Sequence, residues 1–209
     1  MTKYVIVGDI HGKPEQVEEA LQRDGTVIFV GDFMDSFDRS VEDQVRALLL
    51  ALDAVDVGKA KVIFGNHELS YLMPEHECSG WTAAASVHMG HLKERMWKTM
   101  VPFVHLPGDF LVTHAGAHPL VLPHVDELAF ADHASPLHWI GRSRGGRDKV
   151  GGVFWCDFNR EFVPTAGVNQ VFGHTARGGR NGIRRLNDTG FDYCVDCLDY
   201  KTDFLSLDL

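Results

Sequence analysis

Val7-Gly8-Asp9-Ile10-His11-Gly12, Val30-Gly31-Asp32-Phe33-Met34-Asp35 and Phe64-Gly65-Asn66-His67-Glu68 follow one plan: an apolar run, a glycine, then side chains able to bind a metal or move a proton. Each apolar run reads as a buried strand. The glycine lets the backbone turn sharply while the next side chain points into whatever lies beyond the sheet. In open α/β sheets ligands lie outside the carboxyl ends of the strands, so these three tips are expected to converge on one site. Two later runs end in the same manner, at Thr113-His114-Ala115-Gly116 and Gly173-His174-Thr175.

Helical stretches separate the first runs. Pro14 to Arg23 has an opening proline, an acidic first turn and a basic end, and Val41 to Leu52 gives a second helix. With strands at Tyr4–Val7, Val27–Val30 and Lys61–Phe64, the βαβαβ rhythm indicates a parallel or mixed sheet covered by helices. A helical stretch around Trp81 to Met100 and a strand at Phe110 to Thr113 follow. The pattern weakens from Leu120 to Arg147, where Gly141 to Arg147 reads as a basic, glycine-rich loop. Short strands are then expected at Val153–Trp155, Val168–Phe172, Ile183–Leu186, Tyr193–Leu198 and Phe204–Leu207. An αβ-rich half followed by a β-rich half predicts two sheets packed together with helices outside. No repeat, low-complexity segment or linker interrupts the chain, so residues 1–209 read as a single domain with a helical insertion around residues 73–100.

Composition limits the classes of function. At 209 residues, 44% hydrophobic and 23% charged, the chain is long enough for a real core and is neither disordered, collagenous nor a coiled coil. The longest apolar run, Ala47 to Leu52, is far too short to span a membrane. Tyr4 to Val7 is too short for a signal-peptide core, which predicts a mature N-terminus and a cytoplasmic protein. Four cysteines without a disulfide framework agree with a reducing compartment. Twenty basic against 29 acidic side chains leave a net charge of −9, which argues against a broad basic face for nucleic acid. It is compatible with a site whose positive charge comes from bound metal. Twelve histidines point toward metal or acid–base chemistry.

Asp9, Asp32, Asn66, His11, His114 and His174 are oxygen and nitrogen donors, with no thiolate among them. The set exceeds what one catalytic ion with open positions takes, and it suits two. Two ions about 3.5–4 Å apart need a bridging carboxylate. Asp32, between the other two strand tips, is the expected bridge.

The five motifs, in this order, resemble the calcineurin-like metallophosphoesterases, and more closely the phosphoprotein-phosphatase-type branch with its small phage and bacterial members. The resemblance runs from Gly8 to about Cys197. It implies a four-layer α/β/β/α sandwich of the metallo-dependent phosphatase type. It implies one ion held by Asp9, His11 and Asp32, and a second held by Asp32, Asn66, His114 and His174. It further implies hydrolysis by in-line attack at phosphorus, with His67 placed to protonate the leaving oxygen, Asp35 paired with it, and Asn66 also touching the phosphate. Manganese is the expected metal, with iron or zinc open.

Two positions depart from that branch. Ser36 stands where an arginine commonly continues the second motif, and Phe64 where bacterial and phage members often carry another. Both arginines would grip a phosphate bidentately. The segment Gly151-Gly-Val-Phe-Trp155-Cys-Asp157 resembles the family's tryptophan-x-aspartate segment, which makes Arg142 the upstream phosphate contact and leaves Arg39 as another substitute. The expected reaction is hydrolysis of a phosphomonoester, on a phosphorylated protein or small molecule. Loss of two arginines favours the alternative, cleavage of a phosphodiester or a dinucleoside polyphosphate. A retired fold that only binds a partner is a further alternative. The oligomeric state stays open.

Other residues take plainer readings. Cys194 and Cys197 read as two strand cysteines rather than a redox or zinc pair. His76, Cys78, His88 and His91 could gather a structural zinc, although surface histidines are commoner. Arg144, Arg147, Arg177 and Arg180 read as surface charges, and His105, His118, His124, His133 and His138 as ordinary histidines. Trp81, Met89, Met96 and Trp97 are expected to pack the helical insertion.

Overall fold

A computed structural model describes residues 1–76, 78–127, 134–176, 182–187, 190–196 and 204–209. His133, Arg177, Arg180 and Cys197 lie outside the described residues. The fold is mixed α/β, with two five-stranded sheets and flanking helices, divided into two compact units.

The first unit comprises Met1–Val101 and the C-terminal residues 204–209. Its strands are β1 (Lys3–Val7), β2 (Thr26–Phe29), β3 (Ala60–Ile63), β4 (Met100–Val101) and β10 (Leu205–Asp208). The order is β10-β1-β2-β3-β4, with β1 to β4 parallel and β10 antiparallel to β1. Val5, Ile6, Val27, Ile28, Phe29, Val62 and Ile63 are fully buried. Continuous apolar strands of this kind are what a parallel sheet covered on both faces requires. Each buried aliphatic side chain contributes up to about 1.5–3 kcal/mol.

Helix α1 (Pro14–Leu21) opens on proline, which needs no amide partner in a first turn, and buries Val17 and Ala20. Helix α2 (Val41–Asp56) is capped by the Ser40 side chain, which accepts from the Asp43 amide, and buries Ala47, Leu48, Ala51 and Leu52. It runs one turn beyond the expected end at Leu52, because Ala54 continues the buried stripe, and it stops before Gly58 at φ +73°. Helices α3 (Asn66–Leu72) and α4 (Ala83–Thr99) complete the unit. The Thr82 side chain caps α4 by accepting from the Ala85 amide.

The second unit holds the described residues from Pro102 to Asp196. Its strands are β5 (Phe103–Leu106), β6 (Phe110–Thr113), β7 (Asn169–Phe172), β8 (Gly182–Asn187) and β9 (Gly190–Cys194), in the order β5-β6-β7-β9-β8. β6, β7 and β9 are parallel, and β5 and β8 flank them antiparallel. Its described helical elements are 3₁₀ turns at Leu122–Glu127, Pro136–His138 and Arg142–Arg144. The four α-helices among the described residues belong to the first unit.

Val153–Trp155 is a buried turn rather than the expected strand. The Trp155 and Cys156 amides both donate to the Gly152 carbonyl, at 3.0 Å, which coils the chain. A short apolar run reports burial without fixing its conformation.

Candidate active site

The residues following β1, β2 and β3 are knit together by main-chain bonds. The Asp32 carbonyl accepts from the Ile10 and His11 amides at 3.0 and 2.7 Å, and Gly12 donates to Phe33 at 2.9 Å. Glu68, in the first turn of α3, is fully buried. One of its oxygens accepts from the Asp32 and Gly65 amides at 2.8 and 3.1 Å; the other accepts from Phe33 and Met34 at 2.8 and 3.2 Å. Gly31, at φ +108°, and Gly65 pass so closely that a Cβ on Gly31 would lie 2.4 Å from the Gly65 nitrogen. A Cβ on Gly65 would lie 2.1 Å from Asp32 Oδ1, so neither position admits a side chain.

The backbone is strained where the candidate donors sit. His11, Asp32, Asp35 and His174 have φ of 40°, 52°, 62° and 65°. The remaining non-glycine residue of this kind among the described residues, Asp109, lies in the β5–β6 turn. Strain that the surrounding bonds must enforce is a mark of functional positions.

His11 Nδ1 lies 2.9 Å from the Met34 carbonyl, which can only accept, so that nitrogen carries the proton. The bare Nε2 then faces Asp32 Oδ2 at 3.9 Å. An imidazole lone pair and a buried carboxylate directed at each other without a proton between them suit a cation, and the Nδ1 bond fixes the required tautomer. Burial pushes the His11 pKa down, with the Asp32 charge opposing it. His11, Asp32 and His67 place one donor atom each within 4.8 Å of one another. Asp9 is half-buried just beyond β1, and Asn66 is buried at the start of α3.

His67 Nδ1 lies 2.8 Å from Asp35 Oδ2, while its Nε2 faces Asp32 Oδ2 at 3.9 Å and its amide donates to Asp32 Oδ1 at 3.1 Å. Burial alone would lower the His67 pKa, but the Asp32 charge and the Asp35 bond outweigh it and hold the pKa well above the ordinary histidine value. The Tyr71 hydroxyl donates to the other Asp35 oxygen. Gln44 Oε1 accepts from the Asp35 amide at 2.7 Å.

In the second unit, His114 Nε2 and His174 Nδ1 stand 3.1 Å apart, with the rings edge to face. Metal–nitrogen bonds of about 2.0–2.1 Å put adjacent ligands about 2.9 Å apart in octahedral and about 3.4 Å apart in tetrahedral coordination, so this spacing falls within the range for two imidazoles on one ion. The His114 carbonyl accepts from Gly173, and Trp155 meets the His174 ring at 82°. Arg144 donates to the His174 carbonyl and the Thr175 hydroxyl, both at 3.3 Å, and reaches Asp157 at 3.5 Å.

The two phosphate-gripping candidates differ. The Arg39 guanidinium donates to Glu15 at 2.7 Å. Arg142 is exposed and makes no side-chain ion pair among the described residues. Ser36 donates to Asp38, and Phe64 is buried against Trp97, so neither position supplies a cation. His88 and His91 are exposed on α4, and no metal-binding group among the described residues gathers them with His76 and Cys78. Trp81 is not core: it is 38% exposed and stacks on Tyr71.

Sequence reasoning missed Glu68, Tyr71, Glu161 and Arg144. Glu68 stands three residues after Gly65, the capping-box position, and Tyr71 stands one helical turn after His67. Both signals depended on recognising α3. Glu161 had no local signal; its carboxylate gathers the Ser143, Gly151 and Asp157 amides and the Ser143 hydroxyl from three separate turns.

Residues 2–178 match the family model for calcineurin-like phosphoesterases. The fold is similar to that of a cold-active protein tyrosine phosphatase, with a TM-score of 0.59 and 16% identity over 93% of this chain and 70% of that one. A cold-active protein-tyrosine phosphatase of a psychrophilic Shewanella species gives 0.57 and 16% over 93% and 71%. Likeness at that identity speaks for the fold alone. No curated protein matches the sequence. The family match is independent of those folds and takes in the strand-tip donors together with His114 and His174, and on it the chain belongs to the calcineurin-like phosphoesterases, metal-dependent hydrolases of phosphoric esters.

Proposed function

We propose that the protein is a phosphomonoesterase that uses two divalent ions, manganese foremost, on a phosphorylated protein or small molecule in the cytoplasm. The observation that carries this reading is the His67–Asp35 pair, 2.8 Å apart and set beside His11 and Asp32. An imidazole held protonated by a carboxylate is suited to give a proton to a departing alkoxide or phenoxide. Asp9, His11 and Asp32 would hold one ion, and Asp32, Asn66, His114 and His174 the other. The donor chemistry fits: oxygen and nitrogen ligands, a His11 tautomer with its lone pair turned inward, and a histidine pair at ligand spacing. When bound, such ions neutralise phosphoryl charge and acidify water.

The chain's own residues do the rest. Asp35 orients the His67 ring through Nδ1, leaving Nε2 to serve the leaving oxygen. Tyr71 and Gln44 hold Asp35 in turn. Arg142 is available to the phosphate, whereas Arg39 would have to leave Glu15 first. A diester or dinucleoside polyphosphate substrate is favoured by one observation: the Ser36 and Phe64 positions offer no charge to a phosphate dianion.

Turnover of p-nitrophenyl phosphate against bis-p-nitrophenyl phosphate by manganese-loaded protein decides between them, and monoester preference is expected. His67→Asn should slow an alkyl phosphate by about 10²–10⁴ and p-nitrophenyl phosphate much less. Equal slowing of both would give His67 a positioning role, and diester preference would overturn the monoesterase reading.

A further inference from the structure

The Cys78 thiol lies 3.4 Å from His67 Nδ1 and 3.9 Å from Asp35 Oδ2, and those two atoms are 2.8 Å apart. Thiol, imidazole and carboxylate thus converge within the first unit, on the Nδ1 side of the His67 ring, while Nε2 faces Asp32. Hydrolysis as proposed makes no use of the thiol. Zinc bonds of about 2.3 Å to sulfur and 2.0–2.2 Å to nitrogen or oxygen set tetrahedral ligands about 3.3–3.6 Å apart. Both separations from Sγ come within a few tenths of an ångström of that range. The shorter Nδ1–Oδ2 contact is a hydrogen bond, and it would widen once its proton left.

The surroundings are built to hold this arrangement. Tyr71 fixes the second Asp35 oxygen, as outer partners of zinc carboxylates do. A Cβ on Gly80 would meet the Asp35 Cβ at 2.7 Å, so the Cys78–Gly80 turn packs directly on the base of the Asp35 side chain and its main chain. The Thr82 amide donates to the Tyr71 hydroxyl at 3.3 Å, and the thiol also approaches the Asn66 carbonyl at 3.8 Å. Cys78 is only half-buried, so an ion can reach it. The donors assigned to the catalytic ions include no sulfur, and ligand softness therefore separates this set from them.

We propose that Asp35, His67 and Cys78 form an inhibitory zinc site, with water in the fourth position. Coordination releases the thiol proton and the Nδ1 proton to solvent, takes up the Asp35 oxygen that orients the ring, and leaves Nε2–H on a neutral metal-bound imidazole, a far weaker acid than the imidazolium that hydrolysis needs. The inhibitory effect rests on His67 being the proton donor; the zinc site itself does not.

Cobalt added to manganese-loaded protein should produce a thiolate-to-metal charge-transfer band that saturates at one equivalent, is displaced by zinc and is absent from Cys78→Ser. Zinc should inhibit turnover of phenyl phosphate, and Cys78→Ser, scored against its own zinc-free rate, should need at least about tenfold more zinc. No band, or a band that survives in Cys78→Ser, would overturn the site. A Cys78-dependent band with turnover untouched by zinc would overturn the inhibition and, with it, the reading of His67 as proton donor.

Discussion

Replacing Glu68 with glutamine exchanges one carboxylate oxygen for an amide group at a point where four main-chain N–H groups converge. Asp32 and Gly65 share one oxygen, at 2.8 and 3.1 Å; Phe33 and Met34 share the other, at 2.8 and 3.2 Å. Whichever way the glutamine turns, two of those N–H groups face a donor in a fully buried site. Hydrogen bonds to a charged acceptor are worth about 1.5–3 kcal/mol each, so losing two costs about 3–6 kcal/mol. A domain holds about 5–15 kcal/mol in total, so the variant should fold but be fragile. The damage falls on Asp32, whose φ of 52° those bonds help enforce. Urea unfolding followed by intrinsic fluorescence should show a large drop in midpoint with little change in slope. Glu18→Gln, which removes an exposed pair with Arg46, should cost less than about 1 kcal/mol. A loss below about 1 kcal/mol for Glu68→Gln as well would refute the clamp.

Arg144 touches the His174 carbonyl, so Arg144→Ala should shift the manganese concentration needed for half-maximal activity upward by about 10–100-fold, with the rate recovering in excess metal. Arg142→Ala should instead raise KM at saturating metal, and a manganese titration of both variants separates the two roles. Asp192 on β9 is buried, and that burial pushes its pKa up to about 6, against the opposing bond from the Gln170 amide. A carboxyl whose folded pKa exceeds its unfolded one stabilises below the unfolded value, and the contribution is lost as pH rises through about 6. Stability should therefore fall by about 1–3 kcal/mol between pH 4 and pH 7 from this group alone, and Asp192→Asn should remove that part of the slope in denaturant titrations.

The strand tips were legible because three apolar runs each ended in glycine and a ligand-type residue, a local pattern that survives without tertiary information. α3 was not, because its seven residues begin inside the third motif and carry no separate hydrophobic period. With α3 unseen, Glu68 and Tyr71 had no assigned neighbours. β4 starts at Met100, the expected end of the long helix, and β5 lies in the unassigned stretch between that end and Phe110; Pro102, between the two strands, is the only local sign of the change from one sheet to the other. Arg144 outranked Arg142 as the partner of the His174 loop for a reason no spacing could show. Glu161 folds the 141–157 segment over itself, and that fold decides which arginine turns inward. Phe64 illustrates the reverse case: its place in an apolar run already pointed to the core, and it packs there against Trp97.

Metal content and metal-dependent turnover of wild type and Asp32→Asn, measured side by side after chelation and reconstitution with manganese, test the proposed centre most directly. Wild type should bind two ions per chain and hydrolyse p-nitrophenyl phosphate only when reloaded, while Asp32→Asn should bind fewer and show no turnover. Chelator-resistant hydrolysis by wild type, or near-normal turnover by Asp32→Asn, would contradict a metal centre built on that carboxylate.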